Sequence, residues 1–110
     1  MKEDFNNLGF EIDGVLHLTG KQALFCIQNG AILVDVREDF EIAIKNFGIS
    51  SILLCPYTDF DKLYKTLPKD KALILADCVG LRSKEAVKNL MEDGYTKVAN
   101  LIGGIAGWER

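Results

Sequence analysis

Long apolar runs, an excess of positive charge and paired cysteines are all missing from this chain of 110 residues. Its apolar runs reach only the length of a β-strand, so no segment is long enough to span a bilayer. A net charge of −3 argues against nucleic acid or an anionic membrane surface as a partner. The first residues are charged or carry amides, and they lack the apolar core of a targeting segment. These absences predict a cytoplasmic protein that binds neither nucleic acid nor a membrane.

Cysteine occurs three times, at positions that are far apart and odd in number. An odd count does not suit a disulfide framework, and no two of these cysteines have the spacing of a zinc site. Cys26 and Cys55 stand among apolar residues, which predicts buried, reduced and inert thiols. Cys78 differs, because it directly follows an apolar run and precedes a glycine loop. No metal and no cofactor are expected, and Cys78 is the thiol of chemical interest.

Short apolar runs that alternate with amphipathic segments predict a single α/β domain. A chain of this length can bury its own core without disulfides or metal. Strands are predicted over residues 15–18, 31–34, 51–54, 71–76 and 98–100. Helices are predicted between them, over residues 19–30, 36–48, 59–67 and 83–93. The expected architecture has three layers, a central parallel sheet with helices on both faces, in a domain over residues 15–110 that follows an N-terminal extension over residues 1–14.

The stretch from Lys71 to Ser83 carries the strongest functional signal. It reads as a strand buried on both faces, a tight loop around Gly80 and the start of a helix. The amides of such a loop can turn inward, and a helix N-terminus adds partial positive charge, so the turn binds anions or stabilises a thiolate. The chemistry is expected in this turn, and its anion-binding loop is predicted to consist of Val79, Gly80, Leu81, Arg82 and Ser83.

Three motifs together resemble the rhodanese-like domain family. They are Leu33–Arg37, Gly80–Ser83 and Leu101–Gly104 followed by Trp108, and the resemblance covers roughly residues 15–109. It implies an α/β fold with a central parallel sheet of about five strands. It also implies sulfur transfer, in which active members carry sulfane sulfur as a persulfide on one cysteine and pass it to a thiophilic acceptor. That cysteine opens a loop of the form C-x-x-G-x-R-S, whose amides surround the sulfur.

The match departs from the family pattern at the nucleophile. Three residues before Gly80 the chain has Asp77, and Cys78 is one residue further on. The strand over Lys71–Ala76 already has the length of the family's strand before its cysteine, so an alignment without gaps places Asp77 in the nucleophile position. A one-residue deletion would place Cys78 there instead. A second departure is at residues 48–52, which read GISSI where the family has H-I-P-G-A.

Each side chain of the loop has a structural and a functional interpretation. A carboxylate at Asp77 would satisfy inward amides but offer no sulfur to transfer. Cys78 is either a loop residue without a role or a thiol whose pKa is lowered by the helix N-terminus and Arg82. Arg82 is either an anion ligand or the structural partner of Asp77, and the second interpretation is favoured. Ser83 is interpreted as the N-cap of the helix.

Polar residues outside the loop are interpreted as structural. Asp35 and Arg37 are expected to tie loops together, and Trp108 is expected to plug the base of the core. His17 is the single histidine and stands far from the loop in sequence. We expect it to be a surface or satisfied core residue rather than a base.

Two classes of function remain open from the sequence. The first is a binding or regulatory module that keeps the rhodanese fold without its nucleophile and acts on a protein partner. The second is a sulfurtransferase or persulfide carrier that uses Cys78, with a sulfur donor or a thiol acceptor as its partner. Asp77 in the ungapped alignment favours the first, and the nearby thiol favours the second. A phosphatase of related fold is disfavoured, because it needs a longer loop that begins with the cysteine.

Overall fold

Six strands form one sheet in the computed structural model, which describes residues 2–108. They are β1 (Phe10–Ile12), β2 (Val15–Leu18), β3 (Ile32–Asp35), β4 (Ile52–Leu54), β5 (Leu73–Ala76) and β6 (Val98–Leu101). Their order is β1-β2-β6-β5-β3-β4, and neighbouring strands are parallel except in the β1–β2 hairpin. The predicted α/β fold is confirmed, and β5, which leads into the candidate loop, lies inside the sheet.

Four helices join the strands, α1 (Gly20–Gln28), α2 (Asp39–Ile44), α3 (Phe60–Leu63) and α4 (Leu81–Glu92). Short 3₁₀ turns cover Lys2–Phe5, Tyr57–Asp59, Tyr64–Thr66 and Gly104–Gly107. The α1 helix begins as predicted, because Thr19 and Gln22 form a reciprocal capping box. The helix predicted over residues 59–67 is reduced to a single turn with 3₁₀ flanks, in which the Thr66 hydroxyl bonds the Leu63 carbonyl at 2.6 Å.

The α4 helix begins earlier than predicted, so Ser83 is not its N-cap. Gly80 occupies the capping position with a φ of 96°, a conformation that glycine adopts without a steric penalty. The capping acceptor is the carboxylate of Asp77, which receives hydrogen bonds from the backbone amides of Gly80 and Arg82. The prediction failed because this acceptor comes from the end of the preceding strand, outside the usual capping spacing.

Each face of the sheet packs against its own apolar cluster. Ile74 of β5 belongs to a cluster with Cys26 of α1, whereas Leu75, the next residue, packs in the cluster that contains Leu90 of α4. Cys26 and Cys55 are buried and free, as predicted. Burial raises the pKa of both thiols, that of Cys55 to about 11. Helices therefore cover both faces of the sheet, and its carboxyl edge is left for the connecting loops.

The N-terminal residues contribute a strand that the sequence pattern did not indicate. The β1 strand is only three residues long, too short for its alternation to be recognised. Phe5 is fully buried in the cluster on the α1 side, where its carbonyl accepts a hydrogen bond from Cys26 Sγ at 3.4 Å. The division of the chain into an extension over residues 1–14 and a domain over residues 15–110 stays a prediction.

Candidate active-site loop

The loop between β5 and α4 is fixed by the segment that follows β6. Ile105 N donates to the carbonyl of Asp77 at 2.9 Å, and Ala106 N donates to the carbonyl of Cys78 at 3.0 Å. Gly104 lies so close to both carbonyls that a Cβ at its position would clash with them. Gly104 is therefore required by the close approach of the two backbones, and the hydrogen bonds from Ile105 and Ala106 hold the loop in its conformation.

The carboxylate of Asp77 lies among the loop amides, as the sequence predicts. Its side chain is 1% exposed and accepts hydrogen bonds from Gly80 N and, at 2.9 Å, from Arg82 N. Arg82 Nε lies 3.5 Å from Asp77 Oδ2 and adds a more distant positive charge. The amides that turn inward in this loop are thus bonded to a carboxylate of the chain itself, which such donors hold well.

A buried hydrogen-bond network lies behind this carboxylate. Ser83 Oγ is 2.5 Å from Asn100 Oδ1 and 3.3 Å from Asp77 Oδ1. Asn100 Nδ2 donates to His17 Nδ1 at 3.2 Å and to the Gly80 carbonyl at 3.3 Å. His17 is therefore a satisfied core residue, as predicted, and burial lowers its pKa. Asn100 is one residue that sequence reasoning missed, since an asparagine inside a short strand gives no sign of its partners.

The thiol of Cys78 points away from the loop amides and toward α2. Cys78 Sγ donates to Glu41 Oε2 at 2.9 Å and lies 3.6 Å from Arg82 Nη2. The hydrogen bond to the Glu41 carboxylate, with burial, raises the pKa of Cys78. The expectation of a lowered pKa is therefore wrong, because the nearest charge to this thiol is negative.

The main partner of Arg82 is Glu41 rather than Asp77. Two nitrogens of the guanidinium meet the two carboxylate oxygens, at 3.2 Å for Nη1–Oε1 and 2.9 Å for Nη2–Oε2. This contact and the bond from Cys78 lower the pKa of Glu41 to about 2, and the same contact raises the pKa of Arg82. Sequence reasoning also missed Glu41, since nothing local links it to a residue 41 positions away along the chain.

Asp35 and Arg37 tie loops together, as predicted. Arg37 Nη2 lies 2.8 Å from Asp35 Oδ2, and Arg37 Nε lies 3.0 Å from Asp35 Oδ1. Arg37 Nη1 reaches the carbonyl of Lys45 at 2.8 Å, just beyond the end of α2. The guanidinium lies over the ring of Phe47, 5.1 Å from its centroid, and Phe47 packs edge-on against Trp108. Trp108 is buried, as predicted, and its indole N–H bonds the Phe47 carbonyl at 3.1 Å.

Exposed apolar side chains stand on the loop and on α2, which contacts the loop through Glu41. Val79 and Leu81 are 55% and 65% exposed, and Phe40 and Ile44 of the neighbouring α2 are 70% and 85% exposed.

Within residues 2–108 the structure holds no cluster of histidine, cysteine, aspartate and glutamate suited to a metal ion. No helix in that range is long and apolar enough to cross a membrane.

Comparison with known proteins places these features in a family context. The model of the rhodanese-like domain family matches residues 22–110. The chain is similar to the thiosulfate sulfurtransferase GlpE of Haemophilus influenzae, with 32% identity over 84% of this chain and 87% of that protein. It is 37% identical to a sulfurtransferase of Allochromatium vinosum over 72% of each chain. A crystal structure of a rhodanese-related protein from Thermoplasma volcanium superposes with a TM-score of 0.75 and 26% identity, covering 84% of this chain and 88% of that one.

Proposed function

The chain belongs to the rhodanese-like domain family, and we propose that it is a binding or regulatory member without ordinary thiosulfate sulfurtransferase turnover. The observation that carries this proposal is the position of the Asp77 carboxylate, which is bonded to the amides of Gly80 and Arg82. In the proposed alignment Asp77 takes the place of the family's sulfur-carrying cysteine. The amides that would surround a persulfide then bond a carboxylate permanently.

The chemistry of the two groups explains why this exchange would end turnover. A thiolate attacks the outer sulfur of thiosulfate, a new S–S bond forms on the enzyme, and sulfite leaves with the electron pair of the broken bond. A carboxylate is a poor nucleophile toward sulfane sulfur, and the two side chains that contact Asp77 within residues 2–108, those of Arg82 and Ser83, do not make it a better one. The thiosulfate activity in the name of the Haemophilus influenzae relative is therefore not carried over to this chain.

Binding is supported by the apolar rim, defined as the exposed side chains around the loop on α2 and on the loop itself. Its members are Phe40, Ile44, Val79 and Leu81. Large apolar side chains that stay exposed on adjoining segments are typical of surfaces that contact other proteins. The proposed partner is therefore a protein, and the loop supplies polar contacts at the centre of that surface.

A second candidate function is a persulfide carrier that uses Cys78. The specific observation in its favour is a half-buried thiol with a guanidinium nitrogen of Arg82 at 3.6 Å. A cation at this distance would also stabilise a persulfide anion. The hydrogen bond from Cys78 to Glu41 opposes this function, because it favours the protonated thiol.

Intact-mass measurement after exposure to thiosulfate tests both proposals. We expect the wild-type protein to gain no sulfur and to transfer little sulfur to cyanide. The Asp77→Cys variant, with Cys78→Ala in the same chain, should gain one sulfur atom, because its new thiolate is placed among the loop amides and at the N-terminus of α4. Asp77→Ser is the matched control, since it removes the carboxylate without supplying sulfur chemistry.

The opposite outcome is equally clear. If the wild-type protein gains a sulfur atom and Cys78→Ala does not, Cys78 is the nucleophile and the binding-module proposal is wrong. If the chain turns thiosulfate over with Cys78 replaced by Ala, both proposals are wrong.

A further inference from the structure

One carboxylate connects the thiol and the arginine of the loop. Glu41 Oε2 accepts from Cys78 Sγ at 2.9 Å and from Arg82 Nη2 at 2.9 Å. Arg82 Nη2 is itself only 3.6 Å from the sulfur. The guanidinium therefore lies within reach of both acidic groups, and its shorter contact is to the carboxylate.

Charges reach Cys78 from every element around it. Glu41 contributes a negative charge from α2, and Arg82 contributes a positive charge from α4. Arg37, two residues after the end of β3, adds a more distant positive charge. Asp77 precedes the cysteine, but its carboxylate is directed to the loop amides. The balance at the sulfur is thus set by Glu41 and Arg82, the two groups in contact with it.

We propose that Glu41 is a positioning residue that keeps Cys78 in the neutral thiol form. Its carboxylate accepts a hydrogen bond from the S–H group of Cys78 and forms an ion pair with Arg82. With Glu41 in place, ionisation of Cys78 would put two negative charges on one guanidinium. Without that carboxylate, the guanidinium would face the sulfur alone and would stabilise its thiolate. This proposal does not rest on sulfur transfer, because it concerns only the protonation of the thiol.

The backbone around Glu41 shows what keeps this carboxylate in place. The α2 helix has only six residues and none of them is buried. Arg37 Nη1 donates to the carbonyl of Lys45 at 2.8 Å and contacts that of Glu41 at 3.5 Å. Glu41 Oε1 also accepts from Glu38 N at 2.9 Å. Because Gln keeps an oxygen at this position, Glu41→Gln removes the charge while it retains the acceptor for the helix N-terminus.

The experiment is the pH profile of Cys78 alkylation by iodoacetamide, followed by peptide mass mapping. Glu41→Gln should lower the midpoint of the profile. At a pH below the midpoint, the labelling rate should rise about three- to fourfold for each unit by which the pKa falls, since the weaker thiolate is also less nucleophilic. Asp39→Asn is the matched control, because it removes an equal charge from an exposed residue in the same turn. Cys26 and Cys55 serve as buried internal references in every sample.

A second variant separates this electrostatic role from a general loosening of the loop. Arg82→Gln should move the midpoint upward, because Glu41 would then face the sulfur without its counter-ion. Loosening would move both variants toward the ordinary value of a free cysteine, hence in the same direction. Opposite shifts support the proposal. Shifts in the same direction, or a midpoint in Glu41→Gln equal to that of wild type, would overturn it. If Glu41→Gln does not fold, Arg82→Gln decides alone: an upward shift of its midpoint supports the proposal, and a downward shift overturns it.

Discussion

Two acid–arginine pairs lie at the carboxyl edge of the sheet, and they differ in depth. In the inner pair the side chains of Arg37 and Asp35 are 2% and 0% exposed, and their closest contact is 2.8 Å. In the outer pair the side chains of Arg82 and Glu41 are 34% and 18% exposed, with a closest contact of 2.9 Å. Their similar distances show that contact geometry alone does not distinguish a structural ion pair from one that adjoins a reactive group.

The surroundings of the two pairs make the difference. The Asp35–Arg37 pair is removed from water, and its remaining polar atoms bond the backbone, so it connects β3 to the end of α2. The Glu41–Arg82 pair keeps a free side toward solvent and includes the thiol of Cys78. A buried pair cannot exchange partners cheaply, whereas a partly exposed pair can. The outer pair is therefore the one suited to control chemistry.

The largest expected effect is on the inner pair. Arg37→Met should lower the free energy of unfolding by about 3–5 kcal/mol, because it leaves the Asp35 carboxylate buried without its partner. The matched change Arg82→Met in the outer pair should cost only about 1 kcal/mol, since water can replace the lost contact. Urea denaturation of both variants measures the difference. Equal losses would show that the depth of the two pairs has no energetic consequence.

A smaller effect is expected at the Asp77 carboxylate, which contacts the outer pair through Arg82. Asp77→Ala should cost about 2–3 kcal/mol of unfolding free energy, because the amides of Gly80 and Arg82 would lose their acceptor. Asp77→Asn retains a side-chain oxygen and should cost less. The same denaturation experiment ranks the two variants. If Asp77→Asn loses as much unfolding free energy as Asp77→Ala, the charge of the carboxylate, and not its hydrogen bonds, stabilises the loop.

The smallest effect is the acid dependence of the outer pair. The pKa of Glu41 is lowered in the folded protein from 4.5 to about 2. The stabilisation from the ionised carboxylate is therefore complete above pH 4.5 and is lost as the pH falls toward 2. Since the pair is partly exposed, we expect the unfolding free energy of wild type to exceed that of Glu41→Gln by about 1 kcal/mol at neutral pH. That difference should vanish near pH 2. A difference between the two proteins that does not change with pH would contradict the assigned ion pair.

The sequence by itself determined the fold class, the central strand and the loop. Apolar runs of strand length and the turn around Gly80 are local signals, and local sterics and hydrogen bonding act on neighbours in the chain. The same reasoning placed the Asp77 carboxylate among the loop amides, because all the atoms involved lie within six residues. It also predicted structural roles for Asp35 and Arg37, and the structure shows that they bond each other.

Only the tertiary structure decided the state of the thiol. From the sequence, Cys78 had a helix N-terminus and Arg82 as neighbours, both of which favour a thiolate. The fold adds Glu41, which is 37 residues away along the chain but 2.9 Å away in space, and the direction of the pKa shift reverses. In the same way β6 brings Asn100 to Ser83 and His17. Electrostatic and hydrogen-bond energies depend on distance in space, and sheet order, which no local pattern in this chain specifies, sets those distances.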